Sequence, residues 1–225
     1  MPRLRPALTA IVLLSCLMML LATDAAAQAP AATPRFELSG SYGHMWGGHL
    51  DLDQGRLRVG TAGAWTVALD IAVAHDAWLE ASYTRQETGL ELDRPAERRE
   101  LTDLAVGYWQ LGGVKGYTRG NFMPYVLASL GVTHYTFGVE TVEVDQTVYP
   151  VESATRFSMR LGVGCKAFFG RAQRVGVRAQ FTVLPTLFNA GSGFWFGSGG
   201  LSIGLHGDGL WQYLVSGGVT VRFGG

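Results

Sequence analysis

Cysteine is almost absent from this 225-residue chain, which has only Cys16 and Cys165. Cys16 falls in a leader-like N-terminal segment, so the remainder keeps one cysteine and can form no internal disulfide, even in an oxidising compartment. Net charge of one sign is also missing, because 18 Lys and Arg balance 18 Asp and Glu. That excludes the electrostatic footprint of a nucleic-acid-binding protein. Beyond the leader, no apolar run approaches the roughly 20 residues that a membrane helix needs. If this part of the chain enters a bilayer, it must do so as a closed sheet, which satisfies its backbone polar groups internally.

The leader has Arg3 and Arg5, an apolar run from Ala7 to Ala22, and the small residues Ala25, Ala26 and Ala27 before Gln28. This is the layout of a secretory signal peptide over residues 1–27, with cleavage expected after Ala27. A short Ala/Pro tether over 28–34 and a single domain over 35–225 follow. Cys16 does not read as a lipidation site, because the apolar run continues through Leu21. Cys165 lies on the apolar phase of a strand and reads as a small wall hydrophobe.

What the chain does have is 31 glycines, 25 aromatics and repeated two-residue alternation. Successive strand residues point to opposite faces, so alternation separates one face from the other. The first strand is expected over 35–46, with Phe36, Leu38, Gly40 and Tyr42 on one phase, followed by a polar loop over 47–63. The second, over 64–73, alternates Trp65, Val67, Leu69, Ile71 and Val73 with small or acidic residues, and a tight turn at His75-Asp76-Ala77 leads to a third over 79–84. Residues 86–100 are densely charged and interrupted by Pro95, which reads as a solvated loop. The fourth strand, 101–111, sets Leu104, Val106 and Tyr108 opposite Asp103 and Trp109, and a break over 112–123 follows. The fifth, 124–137, is apolar on both phases, so its inner face stays open. A loop with a short ribbon within 141–149 precedes the sixth strand at 157–167, and the seventh runs over 175–183 to Pro185. A Gly/aromatic loop then reaches the eighth.

That last strand, Leu210 to Phe223, places Trp211, Tyr213, Val215, Val219, Val221 and Phe223 on one phase and Gln212, Ser216, Thr220 and Arg222 on the other. Ser216, Gly218, Val221 and Phe223 resemble the signal at the closing strand of bacterial outer-membrane β-barrels, and Gly224 and Gly225 follow the aromatic. Together with Pro124-Tyr125-Val126 and the small residues after it, this strand makes the whole length after the leader similar to the small barrels of the OmpA, OmpX and OmpW type. The resemblance implies an all-β, eight-stranded antiparallel up-and-down transmembrane barrel, monomeric and without a cofactor. It also implies outer-membrane lipid and lipopolysaccharide as surroundings, the barrel-assembly machinery as reader of the last strand, periplasmic termini and long extracellular loops.

Alternation does not decide whether the greasy phase faces lipid or a soluble core. The aromatics favour lipid, since membrane barrels gather them in two interfacial belts. Trp46, Trp65, Tyr83, Tyr135, Phe157 and Trp211 are expected in the outer belt, and Trp78, Trp109, Tyr125, Phe169 and Phe223 in the inner one. The other phase then faces inward. It brings Glu37, Asp70, Glu80 and Asp103 from strands one to four against Arg160, Lys166, Arg178 and Arg222 from strands six to eight. An eight-stranded lumen is just wide enough for side chains to fill, and unpaired buried charge is costly. A plugged interior is therefore expected, with Glu37 and Arg222 paired where the first and last strands adjoin.

No catalytic site is expected. His134-Tyr135-Thr136 with Glu140 resembles the His-x-Ser pattern of lipid A deacylases, but Thr stands at the nucleophile position. His44, His49, Asp51 and Asp53 offer mixed N/O donors in the first loop, yet read as solvated side chains, so no metal is expected. The glycine-rich 191–209 stretch lacks the Lys-Ser/Thr ending of a phosphate cradle. Its Phe194, Trp195 and Phe196 suit contact with lipopolysaccharide or a partner. The function expected is structural or surface interaction through loops. The alternatives are passage of a small hydrophobic solute, which needs an apolar lumen, and lipid A hydrolysis.

Overall fold

The computed structural model describes residues 36–52, 55–94, 97–139, 141–144, 147–150, 153–170, 173–187, 194–197, 200–203 and 209–224. The expected leader and tether lie outside them. The described strands, in chain order, are β1 (Phe36–Trp46), β2 (His49–Leu52), β3 (Gly55–Val59), β4 (Ala62–Ala74), β5 (Ala77–Arg94), β6 (Glu97–Gly116) and β7 (Phe122–Phe137). They continue with β8 (Thr141–Val144), β9 (Thr147–Pro150), β10 (Ala154–Phe169), β11 (Val175–Leu187), β12 (Phe194–Gly197), β13 (Gly200–Ile203) and β14 (Gly209–Phe223).

Eight of these form the wall in the order β1, β4, β5, β6, β7, β10, β11, β14, each antiparallel to the next. The ring closes where Phe36 faces Phe223 and Trp46 faces Tyr213 across β1 and β14. Closure leaves the wall no open edge, as an all-β chain in lipid requires. One end carries the short connections from β4 to β5, β6 to β7 and β10 to β11, with Gly120 and Gly170 at positive φ. There φ of +60° and +73° favours glycine. The other end carries the long connections. They include the β2–β3, β8–β9 and β12–β13 hairpins.

Several expectations about strand limits are corrected, among them the 47–63 loop, which carries β2, β3 and the start of β4, and the 112–123 break, of which β6 takes 112–116. The charged 86–100 stretch is not a loop, because β5 and β6 continue through it as one hairpin, paired from Glu87↔Ala105 to Arg94↔Glu97. β3 adds to its side, and the register sets Arg58 beside Glu91 and Arg56 beside Asp93. Opposite charges at facing positions support a strand pair as apolar pairs do, so charge here does not mean irregular backbone. Pro185 does not end β11, which runs on to Leu187. The ladder to β10 skips the pairs that would include Leu184 and Pro185, passing from Leu161↔Val183 to Ser158↔Thr186. A strand tolerates proline where no ladder donor is required.

Candidate functional site: the barrel lumen

The pairing register determines what the lumen contains. Glu37, Asp70 and Glu80 occupy one rung across β1, β4 and β5. Three like charges on neighbouring strands repel. The compensation comes from the opposite wall, where Lys166 and Arg178 share a rung of β10 and β11 and Arg160 lies further along β10. Lys166 Nζ bridges two acids, donating to Glu37 Oε2 at 2.5 Å and to Asp70 Oδ2 at 2.7 Å. Glu80 is held by two guanidinium groups, with Arg160 Nη1 at 2.8 Å and Arg178 Nη2 at 2.6 Å. These side chains are at most 3% exposed.

Arg222 sits opposite Glu37 in the β1–β14 register, and its Nε donates to Glu37 Oε1 at 2.7 Å. The geometry joins the two residues that strand closure makes neighbours. Arg222→Met is expected to remove about 1.5–3 kcal/mol, the usual worth of a hydrogen bond to a charged group. A urea titration of the refolded protein, followed by its mobility shift on a gel, measures this. An unmoved midpoint would show that the pair adds nothing.

Aromatic rings lie beneath the ions at the short-turn end. Trp78, Met123, Tyr125 and Phe168 all point inward and are at most 4% exposed. The Arg222 guanidinium lies 3.3 Å from the centroid of the Phe168 ring and that of Arg178 5.1 Å from Tyr125, so the cations meet ring faces where they lack carboxylates. Tyr125 Oη accepts from Arg178 Nε at 2.7 Å and donates to Gln180 Oε1 at 3.0 Å. Towards the long-hairpin end the lumen is lined by an apolar collar. Met45, Leu104, Val106, Tyr108, Leu184, Leu210 and Leu214 are at most 2% exposed. A polar thread crosses it, in which Tyr108 donates to Gln212 Oε1 and Gln212 Nε2 donates to Gln86 Oε1 at 2.8 Å.

Several sequence expectations need correcting. Asp103 faces outward and is exposed, apart from the lumen charges, because β6 turns Leu104, Val106 and Tyr108 inward. Trp78, Tyr125 and Tyr135 belong to the interior, at 2%, 4% and 3% exposure, not to the girdle. Trp109 does face outward, but β6 extends to Gly116 and pairs Trp109 with Tyr83, so it joins the belt near the long hairpins. That belt contains a contiguous stack, with ring centroids 5.3 Å apart for Trp65 and Tyr83 and 4.4 Å for Tyr83 and Trp109. Trp46, Phe157 and Trp211 also lie on the outward phase at that level, while Phe169 and Phe223 mark the other end. Phe223 stacks on Phe36 at 5.8 Å. Between these levels the outward positions of the eight wall strands carry no Asp, Glu, Lys or Arg. The first outward charges are Lys115 at one end and Arg85, Glu87 and Asp103 at the other.

An apolar, aromatic-bordered outer surface around a charged interior reverses the arrangement of a soluble barrel. The chain has the fold of a small outer-membrane β-barrel. Neisserial surface protein A is similar in structure at 12% identity, over 86% of this chain and 100% of that one, with a TM-score of 0.51. The outer membrane protein OprG from Pseudomonas aeruginosa is similar at 13% identity over 86% and 97%, with a TM-score of 0.54. No family model and no curated protein matches the sequence.

His134 projects outward, and its Nδ1 lies 2.9 Å from Thr155 Oγ1 on β10 instead of engaging Thr136. Glu140 and Asp53 lie outside the described residues. Among the described residues no group of three His, Cys, Asp or Glu is placed to hold a metal ion. An outer-wall recess of about 440 Å³ at the ends of β5, β6 and β7 is lined by Glu87, Asp103, Ala105 and Thr136. The buried tyrosine and tryptophan of the ionic layer were missed because sequence places aromatics at strand ends without saying which face they take.

Proposed function

We propose that this protein is a non-enzymatic, monomeric β-barrel of the bacterial outer membrane. Its lumen is plugged by charge, and its role is structural or in surface contact through the long hairpins. On this reading the termini are periplasmic, the long hairpins extracellular, lipopolysaccharide and phospholipid surround the wall, and the assembly machinery reads β14. The carrying observation is the ionic rung, in which Glu37, Asp70 and Glu80 are tied to Lys166, Arg178 and Arg160 across the full width of the lumen. The uncharged outer band supports the membrane setting. The collar side chains, at most 2% exposed, support this reading over passage of a hydrophobic solute.

Planar-bilayer recording of the refolded protein tests this. The expected result is no stepwise conductance from a sample that shows the heat-modifiable mobility of a closed barrel. A steady open-channel conductance would overturn the plug. Lipid A analysed by mass spectrometry from cells with and without the protein should be identical, and a lost acyl chain would make it a hydrolase.

A further inference from the structure

The two ends of the barrel use their charges differently. At the long-hairpin end bases stand beside acids, with Arg85 Nη2 3.1 Å from Glu87 Oε1 and the register setting Arg58 against Glu91 and Arg56 against Asp93. At the short-turn end they do not. The connections from β4 to β5, β6 to β7 and β10 to β11 contain Arg119, Arg171 and Arg174 but a single acid, Asp76. Asp76 is already engaged, because its Oδ1 accepts from Thr118 Oγ1 at 3.0 Å and its Oδ2 lies 3.9 Å from His75 Nε2. Lys115, at the end of β6, is exposed, as are Arg119 and Arg174, and none of the three forms an ion pair among the described residues.

These cations border the apolar wall. Lys115 is on the outward phase of β6, with Ala77 and Val126 as its rung neighbours, so its ammonium reaches a polar layer only by extending past the rim. Tyr117 and Phe122 are exposed beside it, and the Arg119 guanidinium lies 5.1 Å from the centroid of the Tyr117 ring. Rings at the level of the chains and cations at the level of the headgroups make a lipid interface. A surface that met only a soluble acidic partner would have no use for a lysine on the lipid-facing phase of a wall strand.

Hydrogen bonds between the connections hold the rim in shape. Gly116 N donates to Asp76 O at 2.8 Å, Phe168 N to Asn121 O at 2.8 Å and Arg222 N to Arg174 O at 2.7 Å. Gln173 Nε2 adds a bond to Asn121 Oδ1 at 2.7 Å. Backbone fixed in advance leaves less to be ordered when a ligand binds.

We propose that the short-turn rim is a binding surface for anionic phospholipid headgroups. Lys115, Arg119 and Arg174, spread round the wall from β6 to β11, take the phosphates while the acyl chains lie on the outward band. The selectivity follows from the missing acids. Anionic and zwitterionic phospholipids both carry the phosphodiester charge, but the zwitterionic ones add a cation for which this rim has no free carboxylate. The proposal rests on the reading of the wall as lipid-facing.

Native mass spectrometry of the refolded protein, given equal amounts of phosphatidylglycerol and phosphatidylcholine in detergent micelles, reads the preference. Phosphatidylglycerol adducts are expected to exceed phosphatidylcholine adducts about fivefold, the worth of one basic residue near an anionic surface. Lys115→Gln combined with Arg119→Gln and Arg174→Gln should bring the two to parity. Lys115→Gln alone should lower the excess, which keeps the test open if the triple variant does not fold, and Arg85→Gln at the opposite end should leave it unchanged. Equal uptake by the native chain, or an excess that survives the triple substitution, overturns the rim as the site. Displacement of the lipid by glycerol phosphate or by polyglutamate would assign the rim to a free phosphate or a soluble acidic partner and overturn the lipid. A chain that takes up neither phospholipid overturns the membrane reading as well.

Discussion

Replacing Lys166 by Met is expected to be the most damaging single change inside the barrel, lowering stability by about 3–5 kcal/mol, the range for breaking a buried ion pair from one side. Its ammonium lies within 2.7 Å of both Glu37 and Asp70, and all three side chains are fully buried. The loss falls unequally on the two acids. Glu37 keeps Arg222 at 2.7 Å, whereas Asp70 keeps only Arg178 Nη1 at 3.7 Å. Asp70 would then face the carboxylates of Glu37 and Glu80 on adjacent strands with little to offset them. Urea unfolding in lipid vesicles reads the loss. A second variant identifies its cause, because Asp70→Asn in the Lys166→Met background should recover much of the midpoint, giving a coupling term that distant sites lack. If the double variant is no better than the single one, the cost lies in packing around the Trp78 and Tyr125 rings and not in the stranded carboxylate.

The same rung explains which parts of the architecture could be read from sequence. Glu37, Asp70 and Glu80 are the lone acids of the segments 35–46, 64–73 and 79–84 that read as strands from sequence, so their phase is unambiguous there. The alternation of β4, β10, β11 and β14 is equally clean because lipid on one side and ions on the other give the two faces different chemistry. β6 and β7 were harder, for a physical reason. Near the long hairpins they border the apolar collar, so both faces demand hydrophobic residues and hydropathy no longer distinguishes them. Leu104, Val106 and Tyr108 are greasy and inward, while Trp109 and Leu111 are greasy and outward at 60% and 57% exposure. Asp103 was misplaced with them. Trp78 and Tyr125 failed differently, because each sits near a strand end, as a belt residue would, but turns inward to meet Lys166 and Arg178. No local pattern in β5 or β7 announces those cations, which arrive from β10 and β11. The charged hairpin of β5 and β6 looks like a loop in sequence because its support comes from cross-strand register, which composition does not contain.

Val163→Arg is expected to cost about 2–4 kcal/mol when the barrel is folded into lipid, the range for an arginine on the lipid face at mid-depth. Val163 lies midway along β10 between Phe157 and Phe169, faces outward and is 54% exposed. Its rung neighbours Val126 and Phe181 are also outward, at 49% and 41%. No outward acid lies at this depth to receive a guanidinium, so the charge must stay in hydrocarbon or drag water in. Val175→Arg is the matched control. Val175 is also outward and 53% exposed, but it opens β11 beside the short turn. Near an interface the same substitution costs only about 0–1 kcal/mol. The difference between the two sites reports hydrocarbon thickness, since side-chain type and exposure are the same. In a barrel surrounded by water both substitutions would be surface changes worth within about 0.5 kcal/mol of zero. Equal, small costs at Val163 and Val175 would therefore place water outside the wall, and a depth-dependent gap would place lipid there.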